Sequence, residues 1–148
     1  MPRFLRAALA VVVGLVVGSV VNMAIILISG RVIPPPAGAD VTTMEGLRAS
    51  LHLFEPRHFI FPFLAHAIGT LVGAFIATVL APGRSVVPAY AVGFLFMLGG
   101  VSNVYLLPGP AWFNAVDILL AYFPAAWLGH TLANRFSQPR TNSVPMNS

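Results

Sequence analysis

Two ionisable residues, His66 and Asp117, lie inside apolar stretches that are long enough to cross a bilayer. If these stretches are helical, His66 lies about 10 Å beyond Phe59 and Asp117 about 8 Å beyond Trp112, because a helix rises about 1.5 Å per residue. A carboxylate deep in a membrane helix costs about 2.5 to 3.5 kcal/mol on insertion scales. Asp117 is the only acidic residue in any of these stretches. We therefore expect it to have a partner, and His66 is the candidate.

Three amides fall at similar depths towards the same side of the membrane: Asn22, Asn103 and Asn114. Together with His66 and Asp117 they can be interpreted as a small polar pocket that binds a proton, a cation or a polar headgroup. The alternative is structural, because hydrogen bonds between membrane helices contribute about 0.6 kcal/mol each and fix the helix register. The sequence leaves both interpretations open.

A second polar cluster consists of His52, Glu55 and His58, which follow one another at three-residue spacing. The string can be interpreted as a metal site, but it lacks a fourth ligand and Pro56 ends a helix within it. We expect Glu55 to cap the following helix and His58 to lie at the membrane interface. His130, in the last apolar stretch, is assigned no chemistry.

Catalytic and cofactor-binding signatures are missing from the sequence. It contains no P-loop, no G-x-G-x-x-G, no H-E-x-x-H and no G-x-S-x-G. The absence of Cys excludes thiolate metal sites and cysteine nucleophiles. We therefore predict no catalytic residue, no metal and no cofactor.

Four apolar stretches must position these residues, at about 7–29, 57–81, 87–107 and 111–133. The chain is 57% hydrophobic and only 8% charged, whereas about 25% of residues are charged in soluble domains. A transmembrane helix needs about 20 apolar residues, and the first stretch exceeds the 7 to about 15 of a secretory signal. We predict an all-α membrane protein, a four-transmembrane-helix bundle forming a single domain over 1–133, with a polar, disordered tail over 134–148.

Small residues recur at four-residue spacing, a pattern that brings helix backbones close together. The predicted packing residues are Gly14 and Gly18 in the first span, Gly69 and Gly73 in the second, and Gly93 and Gly100 in the third. His66 falls on the same helix face as the pair in the second span. Since four helices can bury only some of these faces, we expect the remainder to contact a second copy or a larger membrane complex.

The first connection, residues 30–55, breaks the apolar pattern with three consecutive prolines. Thr42 and Glu45 match a capping box, which predicts a short helix to about Phe54. This helix is expected to lie on the membrane surface or over the bundle. Further on, Pro62 predicts a kink early in the second span.

The arginines predict the orientation, since positive residues concentrate on the cytoplasmic side of a membrane protein. Five lie on one side and three on the other: Arg3, Arg6, Arg84, Arg135 and Arg140 against Arg31, Arg48 and Arg57. This excess predicts that both termini are cytoplasmic. The arginines are scattered among the span ends, so we expect no nucleic-acid partner.

Three segments, VIPPPAGADV, LAHAIGTLVGAFIA and LPGPAWFNAVDILLAYFPAAWLG, together resemble a family of small bacterial four-span inner-membrane proteins of uncharacterised role. The resemblance covers most of the chain. It implies a bacterial inner-membrane location, and it implies no activity, cofactor or catalytic residue.

Three functions remain open at this point. The first is a non-enzymatic accessory or interaction subunit that packs through its small-residue faces, and we favour it. The second is a small proton-linked transporter or ligand-binding membrane protein using Asp117 and His66. The third is a membrane enzyme that acts on a lipid or a quinone. The sequence shows no recognisable reaction centre for such an enzyme.

Overall fold

The computed structural model describes residues 1–136, and every regular element in that part of the chain is helical. The α-helices are α1 (Arg3–Val32), α2 (Met44–Ser50), α3 (Ile60–Leu80), α4 (Val86–Leu106), α5 (Ala111–Leu120) and α6 (Phe123–Arg135). Short 3-10 turns occupy Leu51–Leu53, Pro56–Phe59 and Pro82–Arg84. The disordered tail was predicted over 134–148, but α6 continues to Arg135, and the tail lies outside the described residues from position 137 onward.

Four helical segments are long and apolar enough to cross a membrane: α1, α3 with its preceding turn, α4, and α5 together with α6. This confirms the predicted all-α fold with four candidate spans. α3 lies at the centre and contacts α1, α4 and α6, while α4 also contacts α1 and α6. The segments therefore form a bundle in which α1 and α6 flank the α3–α4 pair.

The contact between α1 and α3 runs along the predicted glycines. A Cβ atom built on Gly14 would lie 2.6 Å from the carbonyl oxygen of Gly73, and one built on Gly18 would lie 2.6 Å from the carbonyl oxygen of Gly69. Side chains are not tolerated at such distances, because the atom that they would meet is backbone. Glycine at these positions therefore allows the two helices to approach this closely.

The glycines of α4 are also used inside the bundle. A Cβ atom on Gly93 would lie 2.8 Å from the Cβ of Ala126, and one on Gly100 would overlap the phenol group of Tyr122. The bundle thus buries all six predicted packing glycines, so none of them remains for a partner. Gly99, by contrast, is exposed on the surface of the bundle, and a Cβ atom there would meet nothing within 4 Å.

The start of α3 differs from the prediction. A 3-10 turn over Pro56–Phe59 precedes α3, which begins at Ile60, so Pro62 falls in the first turn of the α-helix. The first N–H groups of a helix have no partner within it, and a proline there removes no hydrogen bond. In place of a kink inside a long helix, the chain changes from 3-10 to α geometry at this point.

The cap of α2 lies one residue later than predicted. The hydroxyl of Thr43 accepts a hydrogen bond from the N–H of Gly46 at 2.9 Å. Thr42 instead donates to the carboxylate of Asp40, from its hydroxyl at 2.6 Å and from its N–H at 2.9 Å. These two hydrogen bonds, the hydroxyl first, lower the pKa of Asp40.

Candidate functional site

His66 of α3 and Asp117 of α5 are in direct contact. The Nδ1 atom of His66 lies 2.9 Å from each carboxylate oxygen of Asp117. Asp117 is buried, with 3% of its surface exposed, while 19% of the His66 side chain is exposed. A carboxylate only accepts hydrogen bonds, so Nδ1 carries the proton of this contact. The partner that the sequence predicts for the buried carboxylate is therefore present.

A third residue, Tyr122, completes the cluster. Its hydroxyl donates to Oδ2 of Asp117 at 3.0 Å, and its ring lies against the ring of His66 with 5.9 Å between centroids. Tyr122 is 1% exposed, and its hydroxyl lies over Gly100, where there is no side chain to displace it. We refer to His66, Asp117 and Tyr122 as the buried triad.

Tyr122 was not among the predicted site residues, because residues 111–133 were expected to form one unbroken helix. Residues five apart in an unbroken helix point about 140° away from each other, so Tyr122 and Asp117 would not meet. The chain instead turns between α5 and α6, at Ala121 and Tyr122. Pro124 lies at the start of α6, as expected at a helix boundary. A proline shortly after an aromatic residue and a buried acid was the signal that could have revealed this contact.

The triad is closed on one side and open on the other. The Nε2 atom of His66 makes no hydrogen bond within residues 1–136, and it is not an enclosed atom. The carboxylate fixes the orientation and tautomer of the ring, as buried carboxylates do for metal-bound histidines. Nε2 can therefore take up a proton, or accept or donate a hydrogen bond, in a defined direction.

The three predicted asparagines do not join the triad. Asn22 lies against Gly69 at the α1–α3 contact, and the side chain of Asn114 donates to the carbonyl oxygen of Gly109 at 3.2 Å. The side chains of Asn22 and Asn103 make no hydrogen bond to any described residue. Surface cavities of about 340 and 220 Å³ are lined by other residues than the triad. Among the described residues, the hydrogen-bonded cluster therefore contains His66 and Asp117 and none of the three asparagines.

The outer-loop cluster is also dispersed. His52 Nδ1 lies 2.8 Å from the carbonyl oxygen of Ala49, and Glu55 Oε2 lies 3.0 Å from Arg57 Nε. His58 Nδ1 accepts the N–H of Glu55 at 3.0 Å. Among the described residues, no three His, Cys, Asp or Glu side chains are grouped to hold a metal ion. The metal interpretation of this string has no geometric support.

A second polar cluster, which the sequence did not indicate, lies where α6 passes the end of α3. His130 Nδ1 lies 3.3 Å from the hydroxyl of Thr78, and His130 Nε2 lies 3.0 Å from the side-chain nitrogen of Asn134. The Thr78 hydroxyl donates to the carbonyl oxygen of Ala74 at 2.8 Å. Both ring nitrogens of His130 therefore have protein partners, unlike those of His66.

A close-packed layer separates the two clusters. His66 and Thr78 are 12 positions apart on α3, or about 18 Å along the helix. Between them Ala74 and Ala126 are fully buried, and a Cβ atom on Gly129 would meet the backbone of α3. Thr70 also lies between them, but its buried hydroxyl has no hydrogen-bond partner. No hydrogen-bonded chain of described residues therefore joins the two clusters.

Comparison of the chain with protein families, with curated proteins and with solved structures gave no match. The site consists of a buried Asp117 with two protein partners, one of which, His66, keeps a ring nitrogen accessible.

Proposed function

We propose that this chain is a non-enzymatic, multi-pass protein of the bacterial inner membrane that binds a proton or a polar ligand group at His66. The observation that carries the proposal is the Nε2 atom of His66, which has no partner within residues 1–136 although Asp117 holds the opposite side of the ring. Ionisable residues inside a membrane are costly and mark ion, proton or ligand sites. A purely structural cluster would be expected to satisfy both ring nitrogens, as the His130 cluster does.

Binding is favoured over transport and over catalysis. The close-packed layer around Ala74 and Gly129 separates the triad from the His130 cluster, which argues against a proton path through a single copy. Acid and base groups alone do not form a reaction centre, and no Ser, Thr or Lys nucleophile is hydrogen-bonded to His66 within the described residues. The ligand reaches the triad from the side of His66, since Asp117 and Tyr122 are buried.

The proposal includes the membrane arrangement expected from the sequence. Both termini are cytoplasmic, and α2 with the following 3-10 turn lies at the outer interface. Leu47, Leu51 and Phe54 support this placement, because they are half-buried on one side of the segment while its other positions are largely exposed. The triad then lies in the outer half of the bundle.

Ligand-dependent stabilisation tests the proposal. The full-length protein, purified in detergent, would be unfolded thermally with and without a short-chain quinone, phosphatidylglycerol or a divalent cation. A ligand at 100 times its dissociation constant stabilises by about 2.7 kcal/mol. We expect His66→Gln to abolish the stabilisation and His52→Gln, an exposed histidine outside the bundle, to retain it. Stabilisation that is equal in both variants, or absent with every ligand, would contradict the proposal.

An interaction subunit is the second candidate function, and Gly99 is the observation that favours it. Gly99 is exposed on α4, and a Cβ atom there would meet nothing within 4 Å, so the backbone of another membrane helix can approach at this point. The partner is a second copy or a larger membrane complex. If so, Gly99→Leu should lower the molecular mass measured by analytical ultracentrifugation in detergent. An unchanged mass, or a monomeric wild type with no co-purifying subunit, would contradict this candidate.

A further inference from the structure

A surface cavity of about 340 Å³ lies where α1 ends and the 3-10 turn before α3 begins. Its walls are residues 32–37, which include the three consecutive prolines, together with Arg57 and His58. No residue of the buried triad lines it, so it is distinct from the site at His66. The question is what the two polar side chains in its wall can bind.

His58 offers a hydrogen-bond donor here. It is only 9% exposed. Its Nδ1 atom lies 3.0 Å from the backbone nitrogen of Glu55 and 3.2 Å from the carbonyl oxygen of the same residue. The Glu55 N–H can only donate, and when Nδ1 accepts this shorter hydrogen bond, the single hydrogen of a neutral imidazole is on Nε2. Nε2 makes no hydrogen bond within the described residues, and it is not an enclosed atom. A largely buried histidine that lines the cavity therefore keeps an Nε2 atom without a partner among the described residues.

Arg57 adds a positive charge with further donors. Its Nε atom lies 3.0 Å from Glu55 Oε2, and its side chain is 64% exposed. Its two terminal nitrogens make no hydrogen bond within residues 1–136. The remaining lining side chains are those of Val, Ile, Pro and Ala, so no carboxylate lies in the wall. The acceptor atom of the His58 ring is already bonded to the N–H of Glu55, so the polar atoms left without a partner on these side chains are the Arg57 terminal nitrogens and His58 Nε2.

We propose that this cavity binds a phosphate group, held by the terminal guanidinium nitrogens of Arg57 and by the Nε2–H group of His58. Arginine presents a planar pair of donors that matches phosphate oxygens. The volume falls at the lower end of the range for small-molecule sites, about 300 to 1,000 Å³, which suits a phosphate with a small substituent.

Two sources can supply this chemistry, the headgroup of a phospholipid and free phosphate. The same 3-10 turn borders an apolar groove of about 220 Å³, lined by Pro56, Phe59, Trp112 and Phe113 among others. Arg57 and His58 therefore line the cavity while the flanking residues of the turn line the groove. A lipid has both the phosphate and the acyl chain that these two surfaces fit.

The test is native mass spectrometry of the full-length protein released from detergent. One titration uses palmitoyl-oleoyl phosphatidylglycerol, and a second uses palmitoyl-oleoyl glycerol, which has the same chains and no phosphate. Inorganic phosphate is then added as a competitor. The variants are Arg57→Gln and His58→Asn. The asparagine in the second variant keeps an acceptor for the N–H of Glu55. The matched control is Arg48→Gln, because Arg48 is an exposed arginine that does not line the cavity.

We expect saturable binding of phosphatidylglycerol that Arg57→Gln weakens about tenfold or more, as for loss of a hydrogen bond to a charged group. Arg48→Gln should change it less than about twofold. Competition by inorganic phosphate would identify free phosphate as an alternative ligand, and its absence would identify the lipid. Equal binding of the two lipids, or equal losses in the two arginine variants, would overturn the proposal. Because Arg57 is exposed, we expect Arg57→Gln to fold. This variant therefore tests the phosphate site even if His58→Asn does not fold.

Discussion

Gly100→Ala should disrupt the buried triad although none of the three triad residues is replaced. A Cβ atom at position 100 would overlap the hydroxyl end of Tyr122. A flexible side chain could swing away, but Tyr122 is 1% exposed and its hydroxyl is bonded to Asp117. The substitution must therefore either move the phenol off the carboxylate or push α4 away from the chain at the start of α6.

The expected loss of stability has two contributions, overpacking and the loss of one hydrogen bond. Overpacking a closely packed site costs about 1 to 3 kcal/mol. Loss of the hydrogen bond from Tyr122 to Asp117 adds about 0.6 kcal/mol, the average between membrane helices. Gly99→Ala is the control, because Gly99 is the preceding residue of the same helix and faces open space. Both variants gain the same helix propensity, so the difference in their free energies of unfolding should be about 1.5 to 4 kcal/mol.

The assay is unfolding of the detergent-solubilised protein by a strong detergent, followed by circular dichroism. Tyr122→Phe separates the two contributions, since it removes the hydrogen bond and leaves the helix contact. We expect Tyr122→Phe to lose less stability than Gly100→Ala. If Gly100→Ala and Gly99→Ala unfold at the same detergent concentration, the described position of the Tyr122 phenol is wrong.

Gly73→Leu should destabilise the bundle by about 1 to 3 kcal/mol, as is typical of overpacking, because a Cβ atom there would lie 2.7 Å from the carbonyl oxygen of Gly14 in α1. The control is Val72→Leu, at a half-buried position. Equal tolerance of the two changes in a thermal melt would argue against the contact. The pKa of Asp40 is lowered from 3.8 in the folded protein, so its hydrogen bonds stabilise the first loop at pH values above 3.8. This stabilisation is lost as the pH falls through the pKa of the folded state. A spin label at Met44 should therefore become mobile on acidification below that value, and a response unchanged in Asp40→Asn would refute this. If both termini are cytoplasmic, a single Cys that replaces Met44, which is exposed, should react with an impermeant reagent in intact cells. A single Cys that replaces Ser143 should not react. The reverse pattern would show the opposite topology.

The sequence predicted the features that depend on counting along one helix. Apolar length located the four candidate spans, and four-residue spacing located the faces of α1 and α3 that meet at Gly14 and Gly73. Depth alone paired His66 with Asp117, because two ionisable residues at one level in a bundle have few other partners. Each of these inferences needs only the helix rise and the repeat of 3.6 residues per turn.

The features that the sequence did not predict depend on where one helix faces relative to another. Asn114 lies three residues before Asp117, yet its side chain donates to the carbonyl oxygen of Gly109 and not to the triad. Tyr122 was missed because a helix break changes the direction of a side chain, and the boundary between α5 and α6 is set by tertiary contacts as well as by Pro124. His58 was expected at the interface, yet its Nε2–H beside a cavity depends on the 3-10 turn that orients the ring.

A double-mutant cycle on Asp117→Asn and His66→Gln tests the central claim most directly, namely that these two side chains form one buried unit. The free energy of unfolding would be measured for the wild type, both single variants and the double variant. The 2.9 Å contacts predict an interaction energy above about 0.5 kcal/mol, the limit within which independent sites add. Additive losses, with an interaction energy within that limit, would mean that the two side chains do not meet and would contradict the account.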